Sequence, residues 1–362
     1  MISNIQFLRA MAALAVVLFH LRDRLTDLSG LTGAFYDFLF QFGYAGVDVF
    51  FVISGYVIWI SSHQKKNLTS NKKPSLFIYN RATRIYLGYW PYFVLTWLIF
   101  FVLTPSRLDG IDLLGSAFLT QFSLPQLLIQ VTWTLIYELY FYLFFACLLF
   151  VPRRFIPKIL LVFAALIVFI QTTAIVKFDI YAFEQFPNTS LFYTFFASPF
   201  CLQFLAGCGL GIFFERKRLT LIKTAIVAAL GVFGFTLWYQ QTYLLPTNLL
   251  SQGYFMPERA ALFGSFSVLL VAIAIEYEHR GKRWFPQFSK LFGGASYSLY
   301  LAHIPILYMV AHLGLFDIAR QDGWLWLATW LVLVLILFYS VIHYLWIEQP
   351  LLKQAKRLQR FF

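Results

Sequence analysis

The sequence predicts an all-α integral membrane protein of about ten transmembrane helices with both termini on the cytoplasmic side, and three observations lead there. The 362 residues are 60% hydrophobic, 20% aromatic and only 12% charged, which leaves too little polar surface for a water-soluble chain of this length. Mostly apolar stretches of sixteen residues or more recur near 5–20, 38–60, 85–103, 131–151, 159–176, 191–214, 224–243, 260–275, 291–315 and 324–347. Each can cross a hydrocarbon core of about 30 Å as a helix, some with tilt. Taken alternately, the connections 61–84, 152–158, 215–223, 276–290 and 348–362 hold 21 Lys and Arg against four acids, and the opposite set holds six against ten. Positive residues stay in the cytoplasm, so the chain starts and ends there. Unbroken apolar runs such as Ile159 to Ile170 argue against a transmembrane barrel, whose strands alternate.

The first stretch reads as a helix rather than a cleaved signal peptide, because it lacks a basic start, carries Arg9 inside, and ends at His20-Leu21-Arg22 without a small-residue cleavage site. Arg9 and His20 are eleven positions apart, about 1100° of rotation and roughly 16 Å of rise, so one helical stripe presents both. Arg9 then lies toward the cytoplasmic end and His20 toward the outer end. In the second stretch, Gly43 to Tyr56 puts Asp48 near mid-membrane, followed by Ser54 and Gly55, a small pair that lets another chain approach. Within the ten stretches the ionised side chains are Arg9, Asp48 and Glu138. A charge at mid-bilayer costs roughly 2.5–3.5 kcal/mol, so it is kept mainly where it pairs or does chemistry. For Asp48 two readings stand: a buried counter-charge for Arg9, or a direct part in a reaction.

At the cytoplasmic mouth of the third stretch, Arg81 and Arg84 share a helical face with Tyr79 and Tyr86 nearby. Such a pair can hold phosphates, although basic residues are also the default at that interface. An outer connection containing Pro105, Asp109, Asp112 and Pro125 leads to the fourth stretch, Thr132 to Tyr142, with Trp133 at its start and Glu138 about two turns in, at the depth expected for His20. A carboxylate beside an imidazole fixes its tautomer and stabilises the imidazolium, as general-base catalysis at a hydroxyl requires. The bland alternative bonds Glu138 to a tyrosine hydroxyl. Cys147, Cys201 and Cys208 fall within spans without paired metal spacing, so they read as small apolar residues and no metal is expected. Late in the chain Gly293-Gly294, before a new span, and Pro199 and Pro305, inside spans, mark places where helices break or pack closely, and Ser296, Tyr297 and His303 supply polar groups to an apolar helix. His303 reads equally as a core histidine or a substrate contact, and His312 and His343 show no supporting partner in the sequence. The chain closes with Glu348-Gln349-Pro350.

The net charge of +12 follows from topology and attraction to anionic lipid, so no nucleic acid is needed. No connection exceeds about thirty residues, which predicts one transmembrane domain over 1–362. The absence of an internal repeat weighs against a transporter built from inverted halves, but a transporter or flippase of a lipid-linked sugar remains the rival class, because buried charges also mark translocation paths. A scaffold in which the charges only knit helices together is a third.

Taken in order, these segments resemble the acyltransferase-3 family of bacterial membrane O-acyltransferases. The matching elements are Leu8-Arg9 through His20, Gly46-Val47-Asp48 with Phe50 to Gly55, Arg81 through Arg84, Trp133 to Tyr142 with Glu138, Ser296 to His303 with Pro305, and Glu348-Gln349-Pro350. Leu87 stands where a proline commonly follows, and Thr134 replaces a usual serine. No extracellular hydrolase-like domain follows, so complete transfer would rest on the membrane domain. The resemblance implies transfer of an acyl group, usually acetyl, from cytoplasmic acetyl-CoA to a sugar hydroxyl across the bacterial inner membrane. The acceptor would be lipopolysaccharide O-antigen or a related lipid-linked glycan. It makes His20, Glu138, Arg9 and Asp48 the catalytic set, with His20 oriented by Glu138 as general base and Asp48 neutralising Arg9. Alternatively, His20 accepts the acetyl group first and passes it on. Arg81, Arg84, Ser54, Gly55 and Tyr86 would hold the acetyl-CoA, and Trp133, Tyr142, Ser296, Tyr297 and His303 the glycan. Membrane lipid is the other expected partner, and a homo-oligomer is left open.

Overall fold

A computed structural model describes residues 2–26, 41–63, 72–178, 197–244 and 257–358. Lys65, Lys66 and most of the connections 21–37, 177–190 and 244–259 lie outside these residues. In hydrocarbon a backbone must satisfy its own hydrogen bonds, and the described apolar stretches all do so as helices: α1 (Ser3–Thr26), α2 (Gly46–His63), α3 (Lys72–Leu103), α4 (Trp133–Leu148), α5 (Ile156–Phe178), α6 (Phe200–Arg216), α7 (Ile222–Tyr239), α8 (Ser265–His279), α9 (Pro286–His312), α10 (Leu325–His343) and α11 (Gln349–Leu358). No strand occurs among the described residues.

Eight helices among the described residues are long and apolar enough to cross a membrane, and α9 with Leu315–Gln321, bent by 58°, makes a ninth. This is coarser than the ten expected. The sixth expected stretch, 191–214, folds as α6, which starts at Phe200 after the non-helical Ala197–Pro199 and has 17 residues, while 191–196 lie outside the described residues.

Two boundaries differ from expectation for identifiable reasons. Helix α3 has 32 residues and begins thirteen positions before the apolar stretch at 85. Pro74 sits in its first turn, where a missing N–H costs nothing, and Leu76 and Phe77 are buried. The helix passes unbroken through Leu87, and also through Pro91, which lies inside it. Helix α9 likewise runs through Gly293-Gly294. Of the two expected readings the close approach is the one realised, since a Cβ at Gly294 would fall on the Tyr344 ring. Pro199 precedes α6 as its N-cap rather than lying inside it, whereas Pro305 is inside α9.

The chain divides into two compact units. The first comprises Met1–Leu8, Val47–Ile78 and Tyr140–Pro286, the second Arg9–Gly46, Tyr79–Leu139 and Gln287–Phe362. In the first unit α2 and α6 cross backbone to backbone. A Cβ at Gly55 would fall on the Phe204 carbonyl, and one at Gly207 on the Val52 carbonyl, so small residues set the crossing. Phe204 stacks on Phe141 at 4.2 Å and lies 4.8 Å from Phe51. Glu278 accepts the first backbone N–H groups of α1, from Ser3 (2.9 Å) and Asn4 (2.7 Å), a carboxylate at a helix N-terminus where the dipole favours it.

In the second unit the connection 104–132 does not stay beyond the end of α3. Tyr86, Tyr89 and Trp90, on one face of α3, donate to the carbonyls of Phe118 (2.9 Å), Ser116 (2.8 Å) and Ala117 (3.0 Å). Those donors lie some thirteen to seventeen residues before Leu103, or about 20–25 Å along the helix. The segment thus folds back along α3, and the three side-chain donors satisfy carbonyls of its irregular backbone.

Candidate active site

In the second unit α1 is continuous from Ser3 to Thr26, so Arg9 and His20 do share its one face, both half-buried. The His20 ring lies 5.0 Å from that of His303 on α9. His303 is fully buried, and neither of its ring nitrogens has a hydrogen-bond partner. Unpaired polar atoms in an interior are costly, and the protein groups this ring can turn to are the backbone of Tyr300 and Leu299 in its own helix, so the core and the substrate-contact readings of His303 both stand. One turn before it, Tyr300 donates to the Val131 carbonyl (2.9 Å) and accepts from Thr134 (3.0 Å). Thr134, standing where serine is usual, still supplies that hydroxyl. Glu138 is four positions further along α4, on the same face, and is half-buried; Trp133 precedes it with its ring 5.8 Å from Tyr137. Two imidazoles and several hydroxyls thus meet in an otherwise apolar bundle. That chemistry suits moving a proton to or from a bound hydroxyl.

The same unit holds a second polar centre. Glu348, fully buried, accepts from Arg84 at 2.6 Å and from Ser298 at 2.8 Å. Ser298 has one proton, and the carboxylate takes it. The 3.1 Å contact between Ser298 Oγ and His343 Nδ1 therefore requires an Nδ1–H imidazole. His343 Nε2 and the Tyr92 hydroxyl, whose rings lie 4.3 Å apart, have no partner. Arg84 also covers the Tyr297 ring at 5.5 Å, and Tyr297 donates to the Ile85 carbonyl at 2.9 Å. Replacing Glu348 with alanine is expected to cost about 2–3 kcal/mol, somewhat below a fully buried pair because Arg84 is partly exposed. Thermal unfolding of the purified protein checks it, and Glu348→Gln, which still accepts from Ser298, should cost less.

Asp48 belongs to the first unit and sits in the first turn of α2, not at mid-helix. Its expected counter-charge was Arg9, but the cation on it is Arg259, bonded through Nη2 at 2.8 Å and Nε at 3.1 Å, with the Gln203 amide as a further donor. Asp48 is 0% and Arg259 2% exposed, and the guanidinium lies 4.8 Å over the Phe200 ring. The N-terminal dipole of α2 adds to this neutralisation.

The remaining expected residues are spread across both units. Arg81 and Arg84 lie more than two turns inside α3 rather than at its mouth, and Arg81 is half-buried. Tyr86 holds the segment that folds back along α3, through Phe118. Gly55 forms the α2–α6 crossing, accepting from the Cys208 thiol at 3.3 Å, and Ser54 beside it is half-buried. Ser296 donates back to Gly293 in its own helix at 2.8 Å. Tyr142 packs its ring 6.4 Å from Phe77. Among the described residues no group of three or more His, Cys, Asp or Glu is placed to hold a metal ion. Arg259, Gln203, Tyr300, Tyr92 and His343 were not anticipated.

A family model described as an acyltransferase domain, Acyl_transf_3, matches residues 2–347. The chain is also similar to the exopolysaccharide production protein ExoZ of Rhizobium meliloti (strain 1021), with 31% identity over 293 residues, 76% of this chain and 80% of that protein. No solved structure matches.

Proposed function

From the premise that this chain belongs to the acyltransferase-3 family, and is therefore a multi-pass membrane acyltransferase, we propose its reaction. An acetyl group passes from cytoplasmic acetyl-CoA to a hydroxyl of a surface polysaccharide or lipid-linked glycan, lipopolysaccharide O-antigen above all, at the bacterial inner membrane. The printed name of the Rhizobium meliloti relative, exopolysaccharide production, supports a glycan acceptor. The observation that carries the chemistry is the pair of imidazoles, half-buried His20 and fully buried His303 with its two unpartnered nitrogens.

In this reading His20 Nε2 or Nδ1 takes the proton of the sugar hydroxyl as its oxygen attacks the thioester carbonyl. The C–S bond breaks, and the imidazolium returns the proton to the leaving thiolate. Glu138 orients His20, and Arg9, on the same stripe, lines the path of the thioester. Arg81 and Arg84 attract the phosphates of coenzyme A, with Glu348 and Tyr297 holding the Arg84 guanidinium in place. Asp48 keeps its helix ends assembled through Arg259, and Trp133 and His303 contact the glycan.

The test is proton NMR and mass spectrometry of surface polysaccharide from cells carrying the chain or an empty vector, fed isotope-labelled acetate. Labelled O-acetyl groups only in cells carrying the chain are expected. Identical polysaccharide in both would sink the reading for that glycan, and movement of intact lipid-linked sugar without acyl donor would put a transporter in its place.

A further inference from the structure

Next to the Asp48 centre, in the first unit, a groove of about 410 Å³ runs between α6 and the start of α8. Its walls are mostly apolar or small, with Leu202, Ala206, Val268, Leu269 and Gly264 among them, and two polar side chains, Gln203 and Ser265, form part of its lining. Gln203 is 2% exposed. Its amide orientation is dictated by its neighbour: the Asp48 carboxylate, bound to Arg259, can only accept, so Gln203 must turn Nε2 toward it. That leaves Oε1 as a buried acceptor, and it has no donor. The local fold keeps the place open. A π-helical turn, Ala260–Gly264, leads into α8, and Gly264 has no side chain where a Cβ would come within 3.3 Å of the Gln203 amide. Single π turns inside helices recur at functional sites.

We infer that this groove is a binding site for the acceptor's lipid anchor: an apolar chain lies along Leu202, Ala206, Val268 and Leu269 while a neutral hydroxyl at its head donates to Gln203 Oε1. Three features select that chemistry. Apart from Gln203 and the small Ser265, the walls offer apolar contact to a chain. The one orphan polar atom is an acceptor, so the head must supply a donor. No charged side chain lines the groove, and Arg259 nearby is taken by Asp48, so the head that meets Gln203 is a hydroxyl rather than a phosphate. On the positive-inside orientation the Asp48 turn, the start of α6 and Arg259 all lie at outer ends of their helices, the side where a surface glycan is assembled. The inference rests on the glycan-acceptor reading above and narrows the acceptor to a lipid-anchored one.

The experiment is photolabelling of the full chain in phospholipid nanodiscs with an alkyl glucoside carrying a diazirine in its chain, against the same probe with every hydroxyl methylated. Labelled peptides are mapped by mass spectrometry. The free-hydroxyl probe is expected to label residues 202–206 and 264–269 about fivefold more than the methylated one, the worth of one buried hydrogen bond. Gln203→Met should abolish that preference, and Ala206→Phe or Leu269→Trp, which fill the groove without touching Asp48, should abolish labelling by both probes. Labelling indifferent to methylation, or unchanged when the groove is filled, overturns the site. Because binding is read without any acyl donor, a labelled groove in a protein that transfers no acetyl group would sink the proposed reaction and leave the site standing.

Discussion

Replacing His20 with alanine is expected to lower O-acetylation about 100-fold or more, the usual worth of a positioned general base, while the protein stays inserted and folded. The half-buried imidazole stands on a continuous helix facing another ring at 5.0 Å, and its loss opens no large cavity. The sharper experiment is on its neighbour. His303→Phe keeps a planar ring of similar size against Tyr300 and His20 but removes both nitrogens, which no protein group bonds. If His303 only fills space, this variant should keep both its melting temperature and its activity. The proposed reaction instead expects an unchanged or raised melting temperature, since two unpaired buried nitrogens are gone, together with acetyl transfer reduced about tenfold or more as a polar contact to the reacting groups is lost. Acetyl content of isolated polysaccharide at matched membrane protein levels reads both. Full activity in His20→Ala would remove the imidazole pair from the mechanism altogether.

What the sequence made legible follows from how far each signal acts. Helix periodicity is local, and the shared stripe of Arg9 and His20 holds because α1 is unbroken. The apolar stretches likewise became helices, since hydrocarbon permits little else. Signals that depend on a partner far along the chain were not legible. Arg259 stands immediately before an apolar stretch and so counted as a loop residue, yet it is buried on Asp48, 211 positions away. Glu348 and His343 lie at the close of the last stretch, and only folding brings them to Ser298 and Arg84. The course of 104–132 back along α3 was hidden because its polar composition matches an ordinary outer loop. Its one legible clue was the aromatic face Tyr86, Tyr89 and Trp90 on α3, whose donors need acceptors. Gly293-Gly294 was legible only as a pair of alternatives: glycine signals either a break or a close approach, and Tyr344 decides between them.

Removing one member of the Asp48–Arg259 pair is expected to cost about 3–5 kcal/mol, because the other is left as an uncompensated buried charge. Asp48 accepts from Arg259 and from Gln203, so Asp48→Ala strands the guanidinium and an amide together. Arg259→Met strands the carboxylate, which keeps only Gln203 and the dipole of α2. Apolar side chains of similar volume at both positions should recover most of the loss, since burying neither charge avoids both desolvation costs. Thermal unfolding of wild type, Asp48→Leu, Arg259→Met and the double variant in one detergent forms a complete cycle. Additive losses would show that the pair contributes nothing as a pair. The same four proteins also separate the two readings of Asp48. If the carboxylate serves only to hold helix ends together, acetyl transfer should return with stability in the double variant. If it takes part in the reaction, the double variant should melt like wild type and remain inactive. That second outcome would restore to Asp48 the chemical role its isolation in an apolar stretch first suggested.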